Sequence, residues 1–218
     1  MTVIGETTNW GDLFPTHFLP DIFDLVIETW ERFEKPSRDA QEPPITRRFR
    51  SALIQAKRYK ILPFLIMRED VEDDFESGEE IGRKDIAFYP THHEEVYFAF
   101  ECKRLNALVG GKLRALASEY VSDGMSRFVT AQYARFMSHG GMIGYVLDGR
   151  CQHAMALVES NIQSRHGELS MEAPGNFLPS QFRPDSPVIR ETEHKLSRLF
   201  QLHHIFLACL AAETDEAQ

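Results

Sequence analysis

The sequence predicts an α/β protein, on three observations. Apolar residues recur at helical spacing over 17–34 and 45–59, they alternate with polar ones over 83–89 and 95–104, and an apolar run at 142–147 precedes another helical stretch at 151–165. Helix-period and strand-period segments interleave, the pattern expected where helices cover a sheet.

In order along the chain, 17–34 (HFLPDIFDLVIETWERFE) places apolar residues at 22, 23, 25, 26, 27, 30 and 33, with Asp21 after Pro20 as a candidate cap. This predicts an amphipathic helix that packs on the main body. A polar, Pro-containing link (KPSRDAQEPP) leads into a second helix, in which Phe49, Ala52, Leu53 and Ala56 lie beneath five basic residues. The run 62–67 reads as a strand, and the acidic stretch 68–80 (REDVEDDFESGEE) reads as a solvated loop or short helix. Over 83–89 and 95–104 the period is two, and Pro90-Thr-His-His-Glu between them supplies turn residues, so an antiparallel hairpin is expected. After Gly110-Gly111 the chain reads helical to about residue 137, broken near Asp123-Gly124, and Gly140-Gly141 ends it. A buried strand at 142–147 and a helix at 151–165 follow; the Pro- and Gly-rich 167–187 reads as loop, 191–197 is ambiguous, and 198–210 fits either strand or helix.

With 218 residues, 43% of them hydrophobic, the chain can bury about 70% of its unfolded surface, which suits a single domain over 1–218. Cysteines at 102, 151 and 209 form no CxxC pair and the N-terminus is not signal-like, so a reducing cytoplasm is expected. The apolar run 205–212 is far short of the roughly 20 residues that cross a bilayer, so no membrane role is expected. The net charge of -9 opposes nucleic-acid binding, but it is unevenly distributed. Acids concentrate in 69–80 and in the tail from Glu213, whereas 103–135 holds Lys103, Arg104, Lys112, Arg114, Arg127 and Arg135 against only Glu119 and Asp123.

The chemistry centres on the strand Val96-Tyr-Phe-Ala-Phe-Glu-Cys-Lys-Arg. Alternation puts Val96, Phe98, Phe100 and Cys102 on one face and Tyr97, Ala99, Glu101 and Lys103 on the other. On the partner strand Asp85, Ala87 and Tyr89 share a face, so antiparallel pairing can bring Asp85 near Glu101. Two neighbouring carboxylates repel, and a divalent cation between them resolves the conflict. Mg²⁺, for which Mn²⁺ can substitute, prefers oxygen ligands and is commonly held by one or two carboxylates with water and phosphate oxygens. Asp85, Glu101 and the backbone carbonyl of Cys102 form a candidate ligand set. Lys103, flanked by carboxylates, is expected to stay protonated and to act electrostatically rather than as a base.

The pattern of Asp85 and Glu101-Cys-Lys103 on a hairpin between two helices resembles the PD-(D/E)xK motif of the restriction-endonuclease-like nuclease superfamily. Lys84 stands where that motif has Pro. The resemblance covers about 42–147, leaving 1–41 as an N-terminal helical extension and 148–218 as a helix/strand elaboration. It implies a central mixed sheet flanked by helices, an acidic pair that binds Mg²⁺, a lysine that assists hydrolysis, and Glu42 as a further acidic ligand from the first core helix. The string from Tyr120 to Tyr133, followed by Gly140-Gly-Met-Ile-Gly-Tyr-Val, resembles small bacterial nuclease subunits of phage-defence loci. That likeness implies a helix carrying Arg127 and Tyr133 toward substrate phosphate or the site carboxylates, with Arg104 and Lys112 as further candidate substrate contacts.

Nine histidines raise zinc as an alternative, notably His92-His93 and His203-His204, but adjacent strand residues point to opposite faces and no Cys lies at ligand spacing. His194 and one of His203 and His204 are candidates for hydrogen bonds near the site. The expectation is therefore a Mg²⁺-dependent endonuclease on DNA, RNA remaining open, working with a protein partner or as a homo-oligomer. A catalytically silent scaffold that retained the fold is the alternative.

Overall fold

A computed structural model describes residues 14–73, 77–90 and 96–209. The elements are a 3-10 turn (Thr16–Phe18), α1 (Leu19–Arg32), α2 (Glu42–Lys60), β1 (Leu65–Asp73), β2 (Glu80–Tyr89), β3 (Phe98–Leu105) and a small hairpin of β4 (Ala107–Val109) and β5 (Lys112–Arg114). Then come α3 (Ala117–Glu119), a π-helical turn (Tyr120–Met125), α4 (Ser126–Val129), β6 (His139–Val146), α5 (Cys151–Ser164), β7 (Leu178–Pro179), β8 (Ile189–Lys195) and β9 (Leu199–Ala208). Seven strands form one mixed sheet in the order β1-β2-β3-β6-β9-β8-β7. The centre, β3-β6-β9, is parallel, and both flanks are antiparallel.

Helices flank both faces, and the pleat decides which side chain meets which helix. Phe98, Phe100 and Cys102 of β3 and Tyr145 of β6 face α1 and α2: Trp30 stacks on Tyr145 with ring centroids 5.4 Å apart, and Phe49 meets Trp30 edge-on at 5.1 Å. The Trp30 indole N–H is satisfied by the Ala208 carbonyl at 2.7 Å. On the opposite face Tyr120 stacks on Phe206 at 5.8 Å and Phe128 on Phe200 at 6.0 Å, while α5 packs beside α3 and over β9. Each buried aromatic contributes about 1.5–3 kcal/mol from removal of apolar area.

Several boundaries differ from the sequence expectation, each for a physical reason. Helix α1 starts at Leu19 with Pro20 in its first turn, and Asp21 makes no cap. Helix α2 starts at Glu42 rather than 45, because Pro43 and Pro44 fit a first turn whose N–H groups need no intrahelical acceptor. The acidic stretch is not a loop: β1 continues to Asp73 because Asp70 and Glu72 both pair with Lys84 across the ladder. Gly110-Gly111 does not open a helix but turns the β4–β5 hairpin, with both φ angles positive (58° and 76°). Gly140-Gly141 does not end a helix either. Both lie inside β6, where a Cβ on Gly140 would come within 2.7 Å of Phe128 and one on Gly141 within 3.0 Å of Phe98. The segments 191–197 and 198–210 resolve as β8 and β9, and β9 is a central buried strand rather than an elaboration. No described helix is long and apolar enough to cross a membrane.

Candidate active site

The site forms where β2 and β3 part. Their ladder runs Phe88–Phe98, Ala87–Ala99, Ile86–Phe100 and stops. Continuing that register would set Asp85 opposite Glu101, but the Cys102 N–H donates to Asp85 Oδ2 instead, at 2.7 Å. On its other side Asp85 has no ladder partner either: the β1–β2 register omits Glu69, which adopts left-handed backbone (φ 49°). Asp85 is thus freed from both ladders and turned toward the backbone of β3.

Glu101 and Lys103 project from β3 on the face covered by the π-helical turn and α4. Glu101 is 2% exposed. Its Oε1 accepts from Lys103 Nζ at 2.6 Å and lies 3.4 Å from Arg127 Nε. Its Oε2 is buried and has no hydrogen-bond partner among the described residues. Lys103 Nζ also reaches Glu42 Oε1 at the start of α2, at 3.5 Å, and donates to the Cys102 carbonyl at 3.2 Å. Tyr133 is buried and donates its hydroxyl to the Arg83 carbonyl while accepting from Arg127, so it holds that guanidinium beside β2.

The electrostatics follow from burial around a few cations. Burial, then the nearby Asp85 charge, pushes the Glu101 carboxyl up to about 8, against the pull of Lys103. Asp85 and Glu42 are raised too, each mainly by burial, with Lys103 opposing. Burial alone would lower the Lys103 ammonium, but Glu101 and Glu42 outweigh it and hold Lys103 protonated well above its ordinary range. Arg127 is likewise raised: burial lowers it, but Glu101, Tyr133 and Asp85 together outweigh that.

Among the described residues no three carboxylate, imidazole or thiol side chains form a ready metal cage. The donor set nonetheless fits Mg²⁺, which needs only one or two carboxylates beside water and phosphate oxygens. The orphaned Glu101 Oε2, in a position that raises its proton affinity, is the buried carboxylate oxygen that a cation would satisfy. The Cys102 carbonyl, the third ligand expected from the sequence, accepts from Lys103 in this structure.

The structure brings together Asp85, Glu101, Lys103, Glu42, Arg127 and Tyr133. It does not bring Arg104, which turns away to donate to the Ala40 carbonyl at 2.9 Å, or Lys112, which stands exposed on β5. The histidines expected near the site bond elsewhere. His204 meets Tyr120 and Thr192, His194 meets Thr192 and the Leu169 carbonyl, and His203 lies against His139 and Glu191 on the opposite sheet face. His92 and His93 lie outside the described residues. Sequence reasoning missed the cluster of buried Lys84 with half-buried Asp70 and Glu72, whose signal was Asp70 and Glu72 two apart, the spacing of one strand face. Comparison with known protein families, curated proteins and solved structures finds no match to this chain.

Proposed function

We propose that this chain is a Mg²⁺-dependent endonuclease of the restriction-endonuclease-like kind, hydrolysing phosphodiester bonds in DNA. One observation carries the reading: a buried glutamate oxygen without a partner, on a carboxyl pushed up to about 8, beside a second acidic strand residue and a lysine held protonated. Asp85 and Glu101 on neighbouring strands, between α2 and α3 in a mixed sheet, support the superfamily assignment.

When bound, the metal supplies polarisation of the scissile phosphate and a water of lowered pKa. Asp85 and Glu101 would hold it. Lys103 keeps its proton and places positive charge where negative charge builds on the phosphate oxygens. Glu42 orients Lys103 from the far side, and Arg127, fixed by Tyr133, offsets charge at Glu101. The net charge of -9 and the likeness of 120–146 to phage-defence subunits support action within a larger assembly, through a protein partner or a second copy.

The test is cleavage of supercoiled plasmid with Mg²⁺ or Mn²⁺, with structured and single-stranded RNA run alongside. Asp85→Ala and Lys103→Ala should each lower the rate by at least ~10²-fold. Undiminished cutting by both variants eliminates the mechanism, and preferential cutting of RNA makes the protein a ribonuclease. A second reading, a silent scaffold, is favoured by one observation: Lys103 and Arg127 already close on Glu101, so much of the acidic charge is compensated internally. Calorimetry separates the two, since a scaffold would show no Mg²⁺ or Mn²⁺ binding that depends on Asp85 and Glu101.

A further inference from the structure

Strand β3 does not end the useful part of its chain at Lys103; it leads within a few residues into the β4–β5 hairpin, a two-stranded sheet of its own. The base is anchored: Ala107 is fully buried, the Leu108 N–H donates to the Arg38 carbonyl at 2.8 Å, and the Asn106 N–H donates to Ala115 at 3.0 Å. Past the base, residues 109–115 are all exposed, with Val109 at 43% and Leu113 at 49%. The turn is a pair of left-handed glycines, and among the described residues nothing lies within 4 Å of where either Cβ would sit. A two-stranded hairpin alone is marginally stable in water. The fold therefore carries a narrow arm that the described part of the core does not cover.

The arm's charge is unlike that of the rest of the chain. From 102 to 118 there are Lys103, Arg104, Lys112 and Arg114 and no Asp or Glu, in a protein of net charge -9. Register pairs Val109 with Lys112 and Ala107 with Arg114, so the two cations share one face of the ribbon, and Leu113 pairs with Leu108 on the other. Such a ribbon suits a polyanion. It holds no aromatic residue on which unpaired bases could stack, which disfavours single strands. The major groove of B-DNA, roughly 12 Å wide, admits a two-stranded β-ribbon, whereas that of A-form RNA is too deep and narrow.

We infer that the β4–β5 hairpin is a grip for duplex DNA, laid in the major groove with Lys112 and Arg114 on phosphates, and that it registers the duplex against the site on β3, from which the hairpin springs. The inference deepens the nuclease reading and rests on it for placing the scissile bond. Binding is measured without metal, in EDTA, by anisotropy of a short labelled DNA duplex, the same sequence as an RNA duplex, and its single strand. Wild-type protein binds the DNA duplex most tightly. Lys112→Glu with Arg114→Glu weakens it by roughly tenfold or more and lowers the salt dependence of log K by about 2, one phosphate contact for each cation. The neutral pair Lys112→Gln with Arg114→Gln falls between. Circular dichroism verifies that these exposed changes leave the fold intact.

Unchanged affinity and salt slope in both double variants overturn the inference, as does absence of wild-type binding or a preference for RNA duplex or single strand. Its fate separates cleanly from that of the nuclease reading. Duplex binding that depends on Lys112 and Arg114, in a protein that never cuts, removes the nuclease and keeps the grip. Cutting that needs Asp85, with binding indifferent to both double variants, keeps the nuclease and removes the grip.

Discussion

Lys84 and Asp85 are neighbours on β2, and each belongs to a cluster of lysine and carboxylates, yet the two clusters satisfy their polar atoms differently. Lys84 is 3% exposed and pairs with Asp70 at 2.9 Å and Glu72 at 2.5 Å, donates to the Val71 carbonyl at 3.3 Å, and lies 4.2 Å from the centre of the Tyr97 ring. Tyr89 donates to Asp70, and Tyr97 donates to Glu72 at 2.8 Å while accepting the Ala134 N–H at 2.8 Å. One residue along, Asp85 turns to the β3 backbone, and the Glu101–Lys103 pair leaves Glu101 Oε2 with nothing. Composition is almost the same in both places. A fully partnered network fixes structure, whereas the unpartnered oxygen of an acid with raised proton affinity is where the proposed metal would bind.

That contrast can be broken by experiment. The largest separation should appear in catalysis: Lys103→Ala should lower Mg²⁺-dependent cutting by at least ~10²-fold, while Lys84→Met should leave cutting per folded molecule close to wild type and act on stability instead. Removing Lys84 strands Asp70 and Glu72, which are 26% and 11% exposed, and should destabilise the fold by about 2–3 kcal/mol in urea titrations. Equal loss of cutting in the two variants would erase the distinction.

Next in size is a pH effect of opposite sign at two buried glutamates. The Glu101 carboxyl is raised from 4.5 to about 8, so in metal-free protein the native state binds more protons than the unfolded chain between those values, and stability falls as pH rises through them. Glu191 is the reverse. Burial raises it, but His203, the Ser180 hydroxyl and the Gln181 N–H together hold it below its ordinary value, so its contribution is present above that value and is lost as pH falls through the folded one. Thermal melts of Glu101→Gln should lose the neutral-side decline, and those of Glu191→Gln the acid-side one; identical pH profiles would contradict both assignments. The smallest effect is the rise in Tm that Mg²⁺ gives wild type and withholds from Asp85→Ala, since only a site that binds in the native state stabilises it.

Much of this was readable in the residues. Alternation over 83–89 and 95–104 revealed β2, β3 and the shared face of Glu101 and Lys103, because period-two patterning survives in a buried strand. The helical faces of α1, α2 and α5 were readable from apolar residues three and four apart. What escaped notice depended on partners far away in sequence. The two-residue spacing of Asp70 and Glu72 fits one strand face, but nothing local reveals that Lys84 will neutralise them, and charge alone made a strand look like a loop or short helix. Gly110-Gly111 and Gly140-Gly141 have the same composition but different roles, one a free turn and the other a floor beneath the rings of Phe98, Phe100, Phe128 and Phe200. The destination of Arg104 and the separate histidine network were equally invisible, since each depends on tertiary neighbours.

The wide turn from Tyr120 to Met125 has a consequence for how the site could be lost. Each residue of a helix rotates the chain by about 100°, so the residue that this turn holds in excess re-aims everything after it. Excising one amino acid there would tighten the coil into ordinary winding and swing the guanidinium of Arg127 off Glu101. A single-codon deletion could thus disarm the centre while every acidic residue and Lys103 stayed in place.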